Sequence, residues 1–229
     1  MANESESDFP FSQACENNKH PILAHLRTLL TGCQSVLEIG GGTGQHALSF
    51  AQSLPYLTWH PSDVASNLND LARRIMHASL ENLSEPIRLD VDHRPWACGR
   101  FDAVFTANSL HIMSENSVEN FFAEISDHMN PQAQLLVYGP FKCKGEFTTP
   151  SNASFDEWLK ERNPVSGVRD FEWINALAQR AGLRLKQDLS MPANNQLLVW
   201  DTHSSAKSKQ QPCCKNYRAL ASSSIIELG

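Results

Sequence analysis

The most informative chemistry in the chain lies in a glycine-rich turn that contains Gly40, Gly42 and Gly44. It follows an apolar run, Ser35–Ile39, that carries one carboxylate, Glu38, near its carboxyl end. Glycines at a strand end let the backbone approach a ligand closely, because no Cβ stands in the way. The stretch predicts a buried strand, a tight turn and a helix N-terminus that bind a nucleotide-like cofactor. The alternative, a glycine turn without a ligand, leaves Glu38 unexplained.

Polar residues also follow three other apolar runs, where strands are predicted to end. Asp63 comes about 20 residues after the turn, where a carboxylate can accept hydrogen bonds from ribose hydroxyls. Asp90 and Val91 pair an acceptor for an amine with an apolar side chain for a purine face, and Asn108 ends a fourth run. Ligands of open α/β sheets bind outside the carboxyl ends of the strands, so these residues are expected to share one site. Taken singly, each acid is more typical of a helix cap or a turn.

The spacing of the glycines separates two classes of cofactor. A nicotinamide cofactor favours G-x-G-x-x-G, whereas here Gln45 follows Gly44 and the third glycine comes one place early. A nicotinamide oxidoreductase is therefore the less favoured reading. A metal site is not expected either, because the acidic stretch 90–93 offers too few ligands and the chain has no C-x-x-C pair.

Apolar periodicity predicts the elements that must hold these residues in place. Strands are predicted at 35–39, 54–60, 87–91, 101–107, 134–139, 183–189 and 196–201, and helices at 21–30, 46–53, 68–75, 118–129 and 171–181. Pro21 is expected to open the first helix and Pro131 to end the fourth. The polar segment 11–20 is either a linker or a flap over the site. Residues 140–170 are expected to form a long polar loop with one short amphipathic piece at 155–159.

Alternating strands and helices predict an α/β fold with a mostly parallel sheet that helices cover on both faces. The last two strands are joined by about six residues, too few for a parallel crossover of a dozen or more, so they must form an antiparallel hairpin. We expect a single domain at 11–202, with a disordered leader at 1–10 and a disordered tail at 203–229.

Composition and charge limit the classes of partner that the protein is expected to bind. The net charge of −6 and the absence of a basic stripe argue against binding to nucleic acid. No apolar stretch is long enough to span a membrane, and no apolar export segment follows the N-terminus. We therefore expect a protein of the cytoplasm, or of the nucleus, without a membrane partner.

The glycine turn, the acids at 63 and 90 and the closing hairpin together resemble the class I, seven-stranded S-adenosylmethionine-dependent methyltransferases. That resemblance covers roughly residues 12–202 and implies a Rossmann-like three-layer sandwich. The likeness is closer still to the methyltransferase-like 26 group, also called the DUF938 or UPF0585 family. Its motifs are Ala14, Glu16-Asn17-Asn18 and the segments 20–23, 42–47, 59–63, 138–141, 150–152, 167–170 and 191–195.

The resemblance implies S-adenosylmethionine as the cofactor, lying along the strand ends. The implied contacts are Glu38 for the methionine ammonium, Gly40, Gly42 and Gly44 for the methionine and ribose, Asp63 for the ribose hydroxyls, and Asp90 and Val91 for the adenine. Asn108 completes this set at the end of the fourth strand.

The methyl acceptor has to be inferred from the remaining polar residues. His111 and Tyr138 are the candidates for a general base from their positions, and the resemblance itself implies no base. A polar pocket is predicted from Asn17, Asn18, Tyr138, Asn152, Arg169 and Asn195. We therefore expect a methyltransferase that acts on a small-molecule or peptide acceptor. The alternative is a non-catalytic protein that binds S-adenosylmethionine and works as a scaffold or through a partner, and the fold alone does not separate the two.

Overall fold

The computed structural model describes residues 9–202, in which helices and strands alternate as far as the fifth strand, except that no helix lies between the third and fourth strands. The first part comprises α1 (Gln13–Leu29), β1 (Ser35–Ile39), α2 (Gln45–Ser53), β2 (Thr58–Asp63), α3 (Leu68–Ala78), β3 (Ile87–Arg88), β4 (Phe101–Ala107), α4 (Glu115–Ile125) and β5 (Met129–Gly139). The second part comprises β6 (Phe141–Cys143), β7 (Glu146–Phe147), α5 (Pro150–Arg162), β8 (Arg169–Asp170), α6 (Phe171–Arg180), β9 (Leu183–Met191) and β10 (Asn195–Thr202). The predicted tail and residues 1–8 of the predicted leader lie outside the described residues.

Seven strands form the central sheet in the order β3-β2-β1-β4-β5-β10-β9. Strand β10 is antiparallel to both of its neighbours, β5 and β9, whereas β1, β2, β3, β4 and β5 pair in parallel. The predicted fold class, a mostly parallel sheet with one antiparallel strand from a C-terminal hairpin, is confirmed.

Helices cover the sheet on both faces, which makes the predicted three layers. One apolar cluster joins the sheet to α4 and α6 through residues such as Phe121, Ile125 and Ile174. The other joins it to α1, α2 and α3 through residues such as Ile22 and Phe50. Strands β1 and β4 lie between both layers, which explains why they are apolar along almost their whole length.

The first helix begins earlier than predicted. Its N-cap is Ser12, whose side chain accepts a hydrogen bond from the backbone N–H of Cys15, and Pro21 lies inside the helix instead of opening it. An internal proline costs roughly 3 kcal/mol. The burial of Ile22 and Leu26 on the same helix offsets that cost. The polar segment 11–20 is thus mostly the first half of α1 and is not a linker.

The prediction that Pro131 ends the fourth helix is also wrong. Helix α4 ends at Ile125, a 3₁₀ turn spans Ser126–His128, and Pro131 lies within β5. The pairing of β4 with β5 shifts register between Phe101 and Ala103, next to this part of β5. Proline is tolerated in a strand at such an irregularity, because no regular ladder bond is lost.

The predicted loop at 140–170 is wrong, because the segment is folded. It contains α5 and three short strands that form a second sheet in the order β7-β6-β8. Thr149 caps α5 and Pro150 occupies its first turn. Two of the three buried residues of α5, Asn152 and Asp156, are polar, so the helix has little apolar periodicity to detect.

No helix among the residues that the structure describes is long and apolar enough to cross a membrane. Residues 9–202 also contain no cluster of three or more His, Cys, Asp or Glu side chains that could hold a metal ion.

Candidate functional site

The glycine turn connects β1 to α2, and its three key glycines all have positive φ angles, of 76°, 53° and 75°. A Cβ on Gly40 would lie 2.5 Å from Ser109 Oγ, and one on Gly44 would lie 2.9 Å from Leu71 Cδ1. The positive φ angles and these close approaches together favour glycine at both positions. A Cβ on Gly42 would meet no described atom within 4 Å, so the backbone there faces open space in which a ligand could lie.

Asp63, at the end of β2, is tied directly to this turn. Its Oδ2 accepts a hydrogen bond from the Gly42 N–H at 2.6 Å. Its Oδ1 accepts from the Val64 N–H at 2.7 Å and from Asn67 Nδ2 at 2.9 Å. A carboxylate can accept about four hydrogen bonds, so one further donor, such as a ribose hydroxyl, can still be accommodated. Asp63 thus has the turn role that a lone acid commonly has, beside its predicted ligand role.

Glu38 lies beneath the turn, and only 1% of its surface is exposed. Its Oε2 accepts a hydrogen bond from the indole Nε1 of Trp59 at 2.8 Å. Burial raises the pKa of Glu38 to about 8, and the Trp59 hydrogen bond lowers that pKa by more than the nearby charge of Asp63 raises it. A cation placed beside this carboxyl group would favour its ionised form.

The predicted adenine contacts, Asp90 and Val91, follow β3 after a gap of one residue. The Asp90 carboxylate accepts from the Asp92 N–H at 3.0 Å and lies 2.9 Å from His93 Nδ1, so it also stabilises its own turn. Val91 is 7% exposed and packs in the core cluster under α4. Most of its side chain is therefore used in packing, which leaves little of it for a purine ring.

The end of β4 brings Asn108 and Ser109 to the same edge. Asn108 has a φ of 57°, and its N–H donates to the carbonyl of Tyr138 at 2.9 Å. Ser109 packs against Gly40, because a Cβ built on that glycine would lie 2.5 Å from the Ser109 hydroxyl oxygen. Strands β1, β4 and β5 therefore end side by side, as the carboxyl ends of neighbouring parallel strands do. Ser109 was not predicted, because a serine after a strand carries no distinctive signal.

His111 lies just beyond this edge, and 7% of it is exposed. Its ring meets the ring of Phe155 edge to face at 5.2 Å, and its Nδ1 lies close to Gly139 at the end of β5. Within residues 9–202 its imidazole nitrogens have no hydrogen-bond partner. Burial and the charge of Arg169 lower the pKa of His111 to about 4, so the imidazole is neutral at pH 7.

Tyr138 and Asn18, two residues of the predicted pocket, are brought together. Both are buried, and a hydrogen bond from Asn18 lowers the pKa of Tyr138, although burial raises it more. His46 Nε2 lies 2.6 Å from Asn18 Oδ1, and burial lowers the pKa of His46 to about 4. A polar chain thus runs from α2 through α1 to the end of β5.

The other asparagines of the predicted pocket, Asn17, Asn152 and Asn195, make hydrogen bonds to neighbouring residues of the protein. Asn17 is exposed on α1 and accepts from Gln13 at 2.9 Å. Asn152 Nδ2 donates to Thr148 Oγ1 and to the Asn194 carbonyl, and Asn195 Nδ2 donates to carbonyls of its own turn. These contacts stabilise loops, and none of them joins the asparagines to Tyr138.

Arg169 is also used within the protein. Its guanidinium donates hydrogen bonds to the carbonyls of Leu110, Met113 and Val165. Glu115 Oε1 lies 3.6 Å from it. Arg169 therefore positions the loop that carries His111, and its predicted role as a pocket residue finds no support in these contacts.

Gln45, the first residue of α2, has a role that was not predicted. Its Oε1 accepts from the Ser12 N–H at 2.6 Å and from Thr43 Oγ1 at 2.9 Å. Its Nε2 donates to Glu16 Oε1 at 2.7 Å and to the Ser12 carbonyl at 3.4 Å. Gln45 therefore fastens the start of α1 to the glycine turn, a contact between residues 33 positions apart that spacing alone does not reveal.

Comparison with known proteins places this geometry in context. Residues 9–202 match the model of a family that is described as "Protein of unknown function (DUF938)". That match covers all of the described residues.

Solved structures with a similar fold include several methyltransferases. The mitomycin 7-O-methyltransferase MmcR superposes with a TM-score of 0.71 at 18% identity, covering 83% of this chain and 54% of that one. An O-methyltransferase family protein from Burkholderia thailandensis gives 0.73 at 17% identity, with 84% and 58% covered. Human N-acetylserotonin methyltransferase in complex with SAM gives 0.67 at 15% identity, with 84% and 53% covered. The chain spans a little over half the length of these proteins, and at such identities the likeness shows the fold alone.

Proposed function

We propose that this chain, which belongs to the DUF938 family, binds S-adenosylmethionine at its glycine turn and transfers the methyl group to a small-molecule or peptide acceptor. The observation that carries this proposal is the pairing of Gly42 with Asp63. Gly42 combines a positive φ with open space in front of it, while Asp63 accepts its N–H and keeps room for a further donor. The similarity of the fold to that of methyltransferases supports the same reading.

The residues around the turn suit the charge of this cofactor. S-adenosylmethionine carries a net positive charge and has no pyrophosphate, so nearby carboxylates attract it. Two carboxyl groups, Glu38 and Asp63, lie at the carboxyl ends of adjacent strands, and Asp90 lies beyond the third. In the proposed arrangement Glu38 faces the ammonium and Asp63 holds the ribose hydroxyls. Asp90 faces the adenine, together with the small part of Val91 that core packing leaves exposed.

The bound cofactor would supply a methyl group that its positively charged sulfur already activates. The protein's main task is then to hold the acceptor in line with that group, and proximity can supply roughly 7–11 kcal/mol of the barrier. His111 is the candidate for accepting a proton from the acceptor, because it lies next to the end of β5 and its imidazole has no partner among the described residues. Its lowered pKa keeps the imidazole neutral at pH 7 and also makes it a weaker base than an exposed histidine. Tyr138, held by Asn18, is the candidate for orienting the acceptor.

The role of Asp63 can be tested by calorimetric titration of S-adenosylhomocysteine into the Asp63→Ala variant. Hydrogen bonds to a charged group contribute roughly 1.5–3 kcal/mol each, so affinity should fall about 10- to 150-fold. Asp70→Ala is the matched control, because it removes the same charge from an exposed position on α3. Equal affinities for wild type and Asp63→Ala would refute the assignment.

A transfer experiment separates the enzyme from a non-catalytic scaffold. The chain is incubated with methyl-labelled S-adenosylmethionine and a small-molecule extract of cells. Label in a discrete product, absent with the His111→Ala variant, supports catalysis. Tight binding of the cofactor without transfer to any extract fraction favours the scaffold.

A further inference from the structure

Helix α5 has two faces that differ in character. Its buried face carries Asn152, Asp156 and Leu159, which attach it to the rest of the protein. The neighbouring face carries Phe155, Trp158 and Arg162, spaced three and four residues apart and therefore aligned along the helix. Folding of the helix accounts for the first face but does not require aromatic rings on the second.

The rings on the second face form a continuous stack that begins at His111. The His111 and Phe155 rings meet edge to face, and the Phe155 and Trp158 rings are nearly parallel, with centroids 5.7 Å apart. The Arg162 guanidinium covers the Trp158 ring at 3.7 Å. The stack thus leads from the buried imidazole at the sheet edge out to solvent.

Two exposed aliphatic residues belong to the chain segments next to this stack, because Ile112 follows His111 and Val165 follows α5. Ile112 is 59% exposed and Val165 is 53% exposed. Their segments are tied together, because Ser166 Oγ donates to the Ile112 carbonyl at 2.8 Å and the Gly167 N–H donates to the His111 carbonyl at 2.9 Å. We call these two side chains, with Phe155 and Trp158, the ring shelf. The ring shelf is apolar and adjoins the candidate base.

We propose that the ring shelf binds the methyl acceptor, and that the acceptor is a small molecule with a planar aromatic ring that carries a hydroxyl group. This inference rests on the proposed function. The partly exposed rings and the exposed aliphatic side chains of the shelf favour a ring by edge-to-face and apolar contact. A ring seated there would direct a hydroxyl toward His111, whose neutral imidazole can take its proton. The hydroxyl oxygen would then bond to the methyl carbon as the carbon–sulfur bond breaks and its electron pair returns to sulfur.

A peptide acceptor fits the shelf less well. Peptides are commonly held by backbone hydrogen bonds along an exposed strand edge or by an apolar groove that accepts a helix. The shelf instead consists of side chains from one helix and two loops, and Arg162 closes its outer end. It suits a compact ring better than an extended chain.

The proposal can be tested by calorimetric titration of three probes into the full chain, alone and with S-adenosylhomocysteine. The probes are 2-naphthol, its saturated counterpart decahydro-2-naphthol, and a tyrosine-containing pentapeptide. We expect 2-naphthol to bind more tightly than both other probes. Phe155→Leu and Trp158→Leu, which keep apolar side chains, should raise its dissociation constant about 2- to 10-fold by removing a ring contact. Tyr56→Leu, which removes a 52% exposed ring before β2 at the opposite sheet edge, should leave it unchanged.

Three results would overturn the proposal: equal affinity for naphthol and its saturated counterpart, unchanged naphthol affinity in both shelf variants, or tighter binding of the peptide. Circular dichroism melting curves of the variants show whether a loss of affinity reflects unfolding. Trp158→Leu is expected to destabilise the fold less than Phe155→Leu, because Trp158 is 44% exposed. Failure of S-adenosylhomocysteine to bind the wild-type chain would instead refute the proposed function, while ring-dependent naphthol binding would still support the shelf.

Discussion

Glu38 shows how one residue links the fold to the proposed cofactor. Its carboxyl group is almost completely buried and receives one hydrogen bond, from Trp59. Because burial penalises the charged form, the pKa rises from 4.5 to about 8. The folded protein therefore holds a proton at neutral pH that the unfolded chain releases.

This difference in bound protons predicts a pH-dependent stability. Between about pH 4.5 and 8 the native state binds more protons at Glu38 than the unfolded state, so the free energy of unfolding falls as pH rises. Glu38→Gln keeps an acceptor for Trp59 but cannot ionise. We expect its stability relative to wild type to increase from pH 5 to pH 8, by at most about 1.4 kcal/mol per pH unit.

Urea unfolding at pH 5, 6, 7 and 8 measures this relative stability. Glu81→Gln, which changes an exposed carboxylate between α3 and β3, serves as the control. Parallel pH profiles for wild type and Glu38→Gln would show that Glu38 is ionised in the folded protein across this range.

Residue types at the strand ends were predictable, whereas their partners were not. Glu38, Asp63 and the glycines stand out because acids and glycines are unusual at the end of an apolar run. The hydrogen bond between Glu38 and Trp59 depends on the register of β1 with β2, which pairs Glu38 with Pro61. The sequence predicted β2 at 54–60 instead of Thr58–Asp63, so this hydrogen bond could not be predicted.

At the scale of elements, α1 and the glycine turn form one unit. Gln45 makes four hydrogen bonds to Ser12, Glu16 and Thr43, and Lys19 Nζ lies 2.6 Å from Glu16 Oε2. Phe9 and Pro10 extend the attachment, because Phe9 is buried against α3 and Arg74 Nη2 donates to the Pro10 carbonyl at 2.7 Å. These two residues belong to the folded part of the chain, not to the predicted leader.

Gln45→Ala should therefore loosen the start of α1. The substitution leaves buried polar groups without partners, which costs roughly 1–3 kcal/mol each. We expect faster amide hydrogen exchange in residues 12–19, with α6 unaffected, as measured by mass spectrometry of the native protein. Gln13→Ala, at an exposed position on α1, is the matched control. Unaltered exchange in Gln45→Ala would show that packing of Ile22 and Leu26 alone holds the helix.

Two segments that the sequence placed outside helices, the first half of α1 and most of α5, share a physical cause. The central strands and α2, α3 and α6 bury apolar side chains at regular spacing, and the sequence predicted each of them. Strand β2 was displaced to 54–60, β3 was too long at 87–91 and β5 was too short at 134–139. The first half of α1 and the whole of α5 bury polar side chains, Asn18 in one and Asn152 and Asp156 in the other. Hydrogen bonds satisfy these groups only in the folded state, so the apolar pattern that marks a helix is missing.

At the scale of the whole molecule, the proposed site spans elements from both halves of the chain. The turn, Asp63 and Asp90 come from β1, β2 and β3, while His111, Tyr138 and α5 come from β4 and beyond. A ligand that contacts all of them bridges both halves of the sheet. Its binding should therefore stabilise the domain as a whole and not only the turn.

This bridging predicts a cofactor-specific rise in melting temperature. A ligand at 100 times its dissociation constant stabilises the native state by about 2.7 kcal/mol. For a domain of this size, each kcal/mol corresponds to about 2–4 °C, so S-adenosylhomocysteine should raise the melting temperature by about 5–10 °C. NAD should cause no shift, because the turn lacks the third glycine at the spacing that favours a pyrophosphate.

The Gly42→Arg variant completes the thermal test, because its side chain would project into the open space before the turn. The φ of 53° makes any side chain at this position cost roughly 1–2 kcal/mol, so the unliganded variant should melt a few degrees below wild type. The rise with S-adenosylhomocysteine should disappear in this variant. If S-adenosylhomocysteine still raised the melting temperature of Gly42→Arg, the cofactor would have to bind away from the turn. A rise in the melting temperature of the wild type with NAD instead would favour the oxidoreductase alternative.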